Sequence, residues 1–297
     1  MSETEPRLLV STTGQELDRR ILPSRDRVGA PLQNVAAPSE RTTASALHQF
    51  NRYEIKYLIP QDRLPSLRAF LEARMGRDPH QSTPTRITSL YYDTRSLRFY
   101  WEKIEGVRFR RKLRIRMYGP PESIDEDTTA FVEIKQRVNR VTQKRRISLP
   151  YRDARVLCDG REEPLGHGRP GFVGEVLTLC RTLDLHPTAI TTYFRDGYIG
   201  RESDLGLRVT LDHRISGRDR DFYLGARATN HFIIPPEFAV VEVKANDRVP
   251  TWFTDVSAEM NLTPVRISKY CKAVEAHELG GRASQHRRDL PVPGTAK

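Results

Sequence analysis

Apolar and polar residues alternate strictly in three short stretches of this chain: Arg52-Tyr-Glu-Ile-Lys-Tyr57, Phe131-Val-Glu-Ile-Lys-Gln-Arg137 and Val240-Val-Glu-Val-Lys-Ala245. A period of two is the mark of a strand with two unlike faces. Tyr53, Ile55 and Tyr57 share the apolar side of the first, Val132 and Ile134 of the second, Val241 and Val243 of the third. Glu54/Lys56, Glu133/Lys135 and Glu242/Lys244 share the polar side. One such strand reads as ordinary solvated surface. Three of them, joined by further strands with Arg or Lys at the same parity, point instead to charged faces turned inward around an anion.

The intervening pattern predicts the other elements. Leu64, Leu67, Leu71 and Met75 recur at helical spacing near 61–75, and Arg86 to Asp93 reads as a strand followed by a short aromatic segment, Leu97-Arg-Phe-Tyr-Trp101. Val107 to Tyr118 is a long strand with Arg108, Arg110, Lys112, Arg114 and Arg116 on one parity. Neighbouring charges of like sign about 7 Å apart, at an effective dielectric of about 20, cost roughly 2 kcal/mol per pair before screening. Solvent absorbs that on a surface; inside a barrel an anion must.

Beyond a hairpin around Asn139, Lys144 and Arg146 fall on the polar side of a strand ending at Pro150. Helices are expected near 151–158 and 171–185, then strands over 188–199 with Arg195 and over 207–212 with Arg208, Thr210 and Asp212. Phe232-Ile-Ile-Pro-Pro reads as an edge, because proline cannot donate to a ladder. A strand over 238–245, a helix over 251–260 and a helix capped by Ser268, with Lys269 in its first turn, complete the pattern. The expected fold is α+β: about eight antiparallel strands closed into a barrel with a charged interior, flanked by helices. One domain is expected over residues 48–279, between disordered tails at 1–47 and 280–297.

Composition sharpens this. A net charge of +11 calls for an anionic partner. The aromatics fall mostly on the apolar parity and not beside the basic residues, which argues against nucleic acid. Cys158, Cys180 and Cys271 lie far apart without a CxxC, as reduced core residues of a cytoplasmic protein do. No run approaches the roughly 18 apolar residues of a membrane span, and the polar N-terminus is not a signal peptide. No Ser/His/Asp or Cys/His arrangement competes as a catalytic centre.

The inward parity gathers Lys56, Arg114, Arg116, Lys135, Lys144, Arg146, Arg195, Arg208 and Lys244, with Lys269 from the last helix, against Glu54, Glu133, Asp212 and Glu242. Arginine suits bidentate recognition of phosphate oxygens. Mg²⁺ or Mn²⁺ takes one or two carboxylates and fills its remaining positions from water and phosphate. Such a face fits a polyanion whose phosphates are bridged by a divalent ion.

The motif order resembles a known family. Glu-x-Lys, Ser-Leu-Tyr-Tyr-Asp, Arg-x-Arg-x-Tyr-Gly from Arg114 to Gly119, Glu-x-Lys, Lys-x-Arg, Tyr-Phe-Arg, Arg-x-x-Leu-Asp, Glu-x-Lys and Ser-Lys-Tyr follow one another over about residues 50–276. This is similar to the VTC polyphosphate polymerase domain, one of the triphosphate tunnel metalloenzymes. The resemblance implies an eight-stranded tunnel that binds ATP and a metal and extends polyphosphate, or a pyrophosphate primer, with the γ-phosphate. By motif position Lys56, Arg114, Arg116, Lys135, Lys144, Arg195, Arg208 and Lys269 would bind phosphates, and Glu242 would be the metal ligand. All of these except Lys144 and Glu242 form the expected catalytic set. Lys144, Arg146 and Lys244 are expected to add phosphate contacts, and Glu54 and Glu133 join Glu242 as candidate metal ligands.

Eukaryotic members add a phosphate-sensing SPX domain and membrane helices, of which the sequence shows neither. Membrane association would therefore come through a separate partner. Hydrolytic relatives begin with Glu-x-Glu-x-Lys, whereas Arg52 stands at the first Glu here. One carboxylate fewer favours transfer to a phosphate acceptor over hydrolysis. A triphosphate or polyphosphate hydrolase and a non-catalytic polyphosphate-binding module remain the two alternatives.

Overall fold

A computed structural model describes residues 52–79, 84–139, 141–162, 169–246 and 248–279. The tails expected at 1–47 and 280–297 lie outside the described residues. In chain order the elements are β1 (Arg52–Pro60), α1 (Leu64–Arg74), β2 (Met75–Arg77), β3 (Thr85–Asp93), α2 (Arg98–Ile104), β4 (Phe109–Tyr118), β5 (Thr129–Val138) and β6 (Val141–Pro150). There follow α3 (Tyr151–Cys158), α4 (Pro170–Leu183), β7 (His186–Gly200), β8 (Arg208–Arg218), β9 (His231–Phe232), β10 (Phe238–Asn246), α5 (Thr251–Glu259), β11 (Thr263–Pro264) and α6 (Lys269–Ala276). All strand pairings are antiparallel, along the path β11-β1-β10-β8-β7-β3-β4-β5-β6, with β2 on β7 and β9 on β8.

The sheet is not closed, and the expected barrel is corrected on this point. The path ends at β6 on one side and β11 on the other. The free edge of β1 is taken by the segment leading into α6. Tyr57 faces Pro264, Leu58 faces Thr263, and Val265 N–H donates to Lys56 O at 2.7 Å. Pro264 has no N–H to offer further outward. The sheet nevertheless curls strongly. β1 and β5 lie six strand spacings apart, nearly 30 Å in a flat sheet at about 4.8 Å each, yet Lys135 Nζ on β5 lies 3.5 Å from Glu54 Oε2 on β1. Side-chain charge joins strands that backbone hydrogen bonds do not.

Three apolar cores hold this curl. On the convex side α3 and α4 pack on β3–β6 through Tyr151, Leu157, Val173 and Val176. On the same side α1 and α5 pack on β1, β8 and β10 through Leu64, Leu67, Leu71, Phe253 and Val256. On the concave side Tyr270, Ala273 and Val274 of α6 fill one end against Ile87, Tyr91, Tyr193 and Val240. Cys158 and Cys180 lie in the first core and Cys271 in the third, all buried as free thiols.

The aromatic segment after β3 proves to be a helix, α2, and Asp93 explains why. Its carboxylate accepts from the N–H groups of Thr94 (2.8 Å), Phe99 (2.9 Å) and Tyr100 (3.0 Å), and from the Tyr270 hydroxyl. It satisfies first-turn donors that the helix leaves orphaned and ties α6 to β3. At the start of α6, Ser268 Oγ accepts from Cys271 N–H at 3.3 Å, as the sequence suggested.

Candidate functional site

Strand pairing carries the charged parity from one strand to the next around the concave face. Lys56 faces Glu242 and Glu54 faces Lys244. Lys244 faces Arg208, and Asp212 faces Arg195. Arg114 faces both Tyr91 and Glu133, while Lys135 faces Lys112 and Lys144. The strand sequences alone could not supply this registry, because pairing is non-local. Ion pairs gather these residues in three groups: Glu54 and Glu242 with Lys56, Lys135 and Lys244, Glu133 with Arg114, Arg116 and Lys144, and Asp212 with Arg195 and Lys269.

Glu133, expected as a metal ligand, sits inside a cationic cage. Arg114 reaches it at 2.6 Å, Lys144 at 2.5 Å and Arg116 at 3.9 Å. Burial would raise its carboxyl; Arg114, Arg116 and Lys144 outweigh that and hold it at about 2. Both oxygens are engaged by cations, two of them arginines, and the arginine fork fixes the carboxylate more firmly than lysine alone would. Loss of hydration pushes Lys144 down to about 8, against the pull of Glu133 and with the help of Arg114 and Arg116.

Asp212 is a second sealed carboxylate. It takes Arg195 through two bonds, at 2.5 and 2.6 Å, and Lys269 at 2.5 Å. Burial works against its charge, but Arg195 and Lys269 hold it at about 2. The Lys269 ammonium also lies 4.5 Å from the Tyr193 ring centre, so the first turn of α6 is fixed to the sheet.

Glu54 and Glu242 differ. Lys56 Nζ stands between them, 3.1 Å from Glu54 and 3.9 Å from Glu242, and donates to Ile267 O at 3.3 Å. Lys135 pairs with Glu54, and Lys244 with Glu242. Burial opposes ionisation of Glu242, yet Lys244, Lys56, Arg195 and Lys269 keep its carboxyl well below the ordinary range. Burial and the neighbouring Glu242 both work against the charge on Glu54, which Lys135 and Lys56 nonetheless keep ionised. Two ionised carboxylates that repel each other, with only lysines to separate them, suit a divalent cation. Among the described residues no three His, Cys, Asp or Glu side chains converge as a metal site. A metal here would take Glu54 and Glu242 and draw its other ligands from phosphate and water.

Two expected residues stand towards the margins. Arg208 turns to Asp78, with bonds of 2.9 and 3.1 Å. Arg146 is exposed, its guanidinium 4.8 Å from the Phe131 ring centre.

A family model, the VTC domain, matches residues 51–277. The chain belongs to the VTC domain family. Vacuolar transporter chaperone complex subunit 4 of Trypanosoma brucei brucei is 23% identical over 274 residues, covering 76% of this chain and 34% of that protein. The subunit of the same name from Trypanosoma cruzi is 21% identical over 271 residues, with the same coverage of 76% and 34%. The chain thus spans about a third of the length of these curated relatives. A crystal structure of a putative adenylate cyclase from Bacillus halodurans aligns with a TM-score of 0.44 and 13% identity, over 73% of this chain and 95% of that one. A likeness that loose carries no argument about chemistry.

In this VTC domain the concave face also holds residues that the sequence reading left out of its site. Lys112 donates to Ser268 Oγ at 2.6 Å, its ammonium 5.2 Å from the Tyr270 ring centre. Burial lowers its affinity for a proton, and Lys135 and Lys56 lower it further against Cys271 and Tyr91. The Tyr91 hydroxyl meets Arg114 at 3.0 Å; burial would raise its pKa, but Arg114, Arg116 and Lys112 bring it to about 7. Arg116 donates to Ser89 Oγ at 3.2 Å and to the Tyr193 hydroxyl at 3.3 Å. The signal was present: Ser89 and Tyr91 share the parity of Arg114 across the β3–β4 pairing. Aromatic residues at that parity read as core, and Tyr91 is both core and site.

Proposed function

We propose that this chain is a phosphotransferase that lengthens inorganic polyphosphate with the γ-phosphate of ATP. The observation that carries the reading is the concave face itself. It is lined by lysines and arginines, filled at one end by α6, and holds two carboxylates, Glu54 and Glu242, that are paired with lysines alone. Membership of the VTC domain family supports the same reading.

Phosphoryl transfer needs positioning and charge neutralisation more than covalent help. A terminal oxygen of the growing chain attacks the γ-phosphorus of ATP. The bond from that phosphorus to the bridging oxygen breaks, and ADP leaves with the electron pair. The attacking phosphate is already ionised at neutral pH, so no strong base is required. Lys56, Lys135 and Lys244, freed when Glu54 and Glu242 hold a divalent metal, would neutralise the phosphates. Arg114 and Arg116, braced by Glu133, Tyr91 and Ser89, would orient them. The metal, when bound, supplies charge neutralisation between adjacent phosphates.

Arg110 lies further along β4, opposite Arg137. Loss of hydration lowers the proton affinity of Arg110, and Arg137 and Arg266 lower it further. A polyanion passing this stretch would relieve that repulsion and be held without being locked. Among the described residues no helix is long and apolar enough to cross a membrane. The relatives are named as subunits of a complex, and we read this chain as acting beside a partner that supplies any membrane attachment.

The test is product analysis. The full chain is incubated with ATP, Mn²⁺ or Mg²⁺ and pyrophosphate. Long chains and ADP are expected; free orthophosphate in place of chains would identify a hydrolase, and no turnover a binding module.

A further inference from the structure

A second basic cavity opens on the other face of the sheet. It measures about 210 Å³ and is lined by Arg86 and Thr88 of β3, Thr192 of β7, Arg218 at the end of β8, and Glu122, Arg227 and Asn230 from the connecting segments. Thr88 and Thr192 bond each other through their hydroxyls at 3.3 Å. Arg86 and Thr88 have the parity of the core residues Leu90 and Tyr92, opposite to Ser89 and Tyr91 of the candidate site. The thickness of the sheet therefore separates the two.

The arginines here lack what every arginine of the concave cage has. Arg218 is 2% exposed, and its guanidinium donates to Asp221 O (3.1 Å), Tyr223 O (2.8 Å) and Asn230 Oδ1 (2.9 Å), all neutral acceptors. Arg86 Nε is buried without a hydrogen-bond partner. Among the described residues neither forms an ion pair; burial lowers the proton affinity of Arg218, Asp221 and Tyr151 partly offset this, and Arg86 and Arg220 lower it further. A buried guanidinium with no directly paired carboxylate and a buried, unpartnered Arg86 Nε are both costly, and an anion between them would offset both. Asn230 commits its carbonyl to Arg218 and keeps its amide N–H donors for such a ligand.

Volume and polarity choose the anion. The cavity is several times the roughly 30 Å³ of a liquid water molecule but below the roughly 300 Å³ at which pockets for drug-sized ligands begin. A single inorganic ion fits within it. Glu122 on the same wall can accept a hydrogen bond from hydrogen phosphate and can only repel sulfate. We propose that this cavity is a binding site for one orthophosphate ion, separate from the polyanion face. It would pin the irregular segment 219–230 to the sheet through Arg218 and Arg227.

Equilibrium dialysis of the full chain with labelled orthophosphate tests this, with sulfate as competitor. The Arg86→Gln, Arg227→Gln double variant leaves the buried Arg218 in place, and its melting curve checks the fold. It is expected to lose orthophosphate affinity by about tenfold or more, the loss of charged hydrogen bonds, while polyphosphate binding is unchanged. Arg114→Gln, on the concave face, is expected to do the reverse. Full orthophosphate affinity in the double variant, its disappearance in Arg114→Gln, or equal competition by sulfate would each overturn the proposal. None of these readouts involves ATP turnover, so they stand apart from the polymerase assay.

Discussion

Two kinds of carboxylate share the concave face, and the contrast between them separates scaffold from chemistry. Asp212 and Glu133 have side chains 0% and 1% exposed and are saturated by arginine and lysine. Glu242 and Glu54 are 9% and 30% exposed and are held by lysines alone. Arginine binds a carboxylate through a planar fork that fixes both partners, whereas lysine is a point charge on a flexible stem that changes partner readily. The sealed pair therefore holds the sheet and α6 together. In the proposed function, the open pair is where metal and phosphate would displace lysine. Arg195 and Lys269, read from the motifs as phosphate ligands, contribute in this structure to the sealed class.

Breaking the sealed class should have the largest effect. Asp212→Asn leaves Arg195 and Lys269 buried without their counter-charge, a change that typically costs about 3–5 kcal/mol. At roughly 2–4 °C per kcal/mol for a unit of this size, thermal melting should fall by about 10 °C. A variant that melts like wild type would erase the distinction between the two classes.

The open class should respond in activity instead. Glu242→Gln is nearly isosteric, and removing such an electrostatic stabiliser costs on the order of a hundredfold or more in turnover. Its melting temperature should move by only a few degrees. The measurement is ADP formation at saturating metal beside a melting curve. Wild-type turnover would remove Glu242 from the metal assignment.

Arg114 tests the link between the classes, since it braces Glu133 and faces the site. Arg114→Ala should cost roughly tenfold to a hundredfold in turnover. Arg111, with the opposite parity on β4, turns its guanidinium towards the Phe109 ring at 5.0 Å. Arg111→Ala should change turnover little. Equal losses in steady-state assays would mean that parity does not sort the residues that act.

Much of this arrangement was legible, and the limits have physical causes. Alternation placed Glu54, Lys56, Glu133, Lys135, Glu242 and Lys244 on one face, because side-chain period is a local property of a strand. It could not say whether the sheet closes. Parity is the same in an open curl and a barrel, and closure depends on which segment reaches the free edge of β1. Here Thr263–Val265 arrives first. Alternation also could not tell sealed carboxylates from open ones. Glu133 and Glu242 stand in near-identical Glu-x-Lys contexts, and only cross-strand neighbours, Arg114 and Arg146 for one, Lys56 and Thr210 for the other, divide them.

The smallest expected effect comes from pH and sharpens the contrast further. Lys144 is held at about 8 and Tyr91 at about 7, while Lys112, Lys135 and Lys244 are also displaced below the ordinary lysine value. For a lysine or tyrosine lowered in the fold, the unfolded chain binds more protons between the folded and unfolded values. The contribution of Lys144 and Tyr91 to stability therefore rises with pH from about 7 towards 10 in the empty protein. A bound polyanion reverses the preference, since it favours the ammonium of Lys144 and the neutral phenol of Tyr91. Polyphosphate affinity should then weaken as pH rises from 7 to 9, by up to about tenfold per pH unit for each group that must take up a proton. Thermal shift on adding polyphosphate, measured at both pH values, should shrink accordingly. Lys144→Arg keeps its charge throughout that range and should flatten part of the dependence. A variant with the wild-type slope would assign the pH response to other groups on the face and leave Lys144 merely a partner of Glu133.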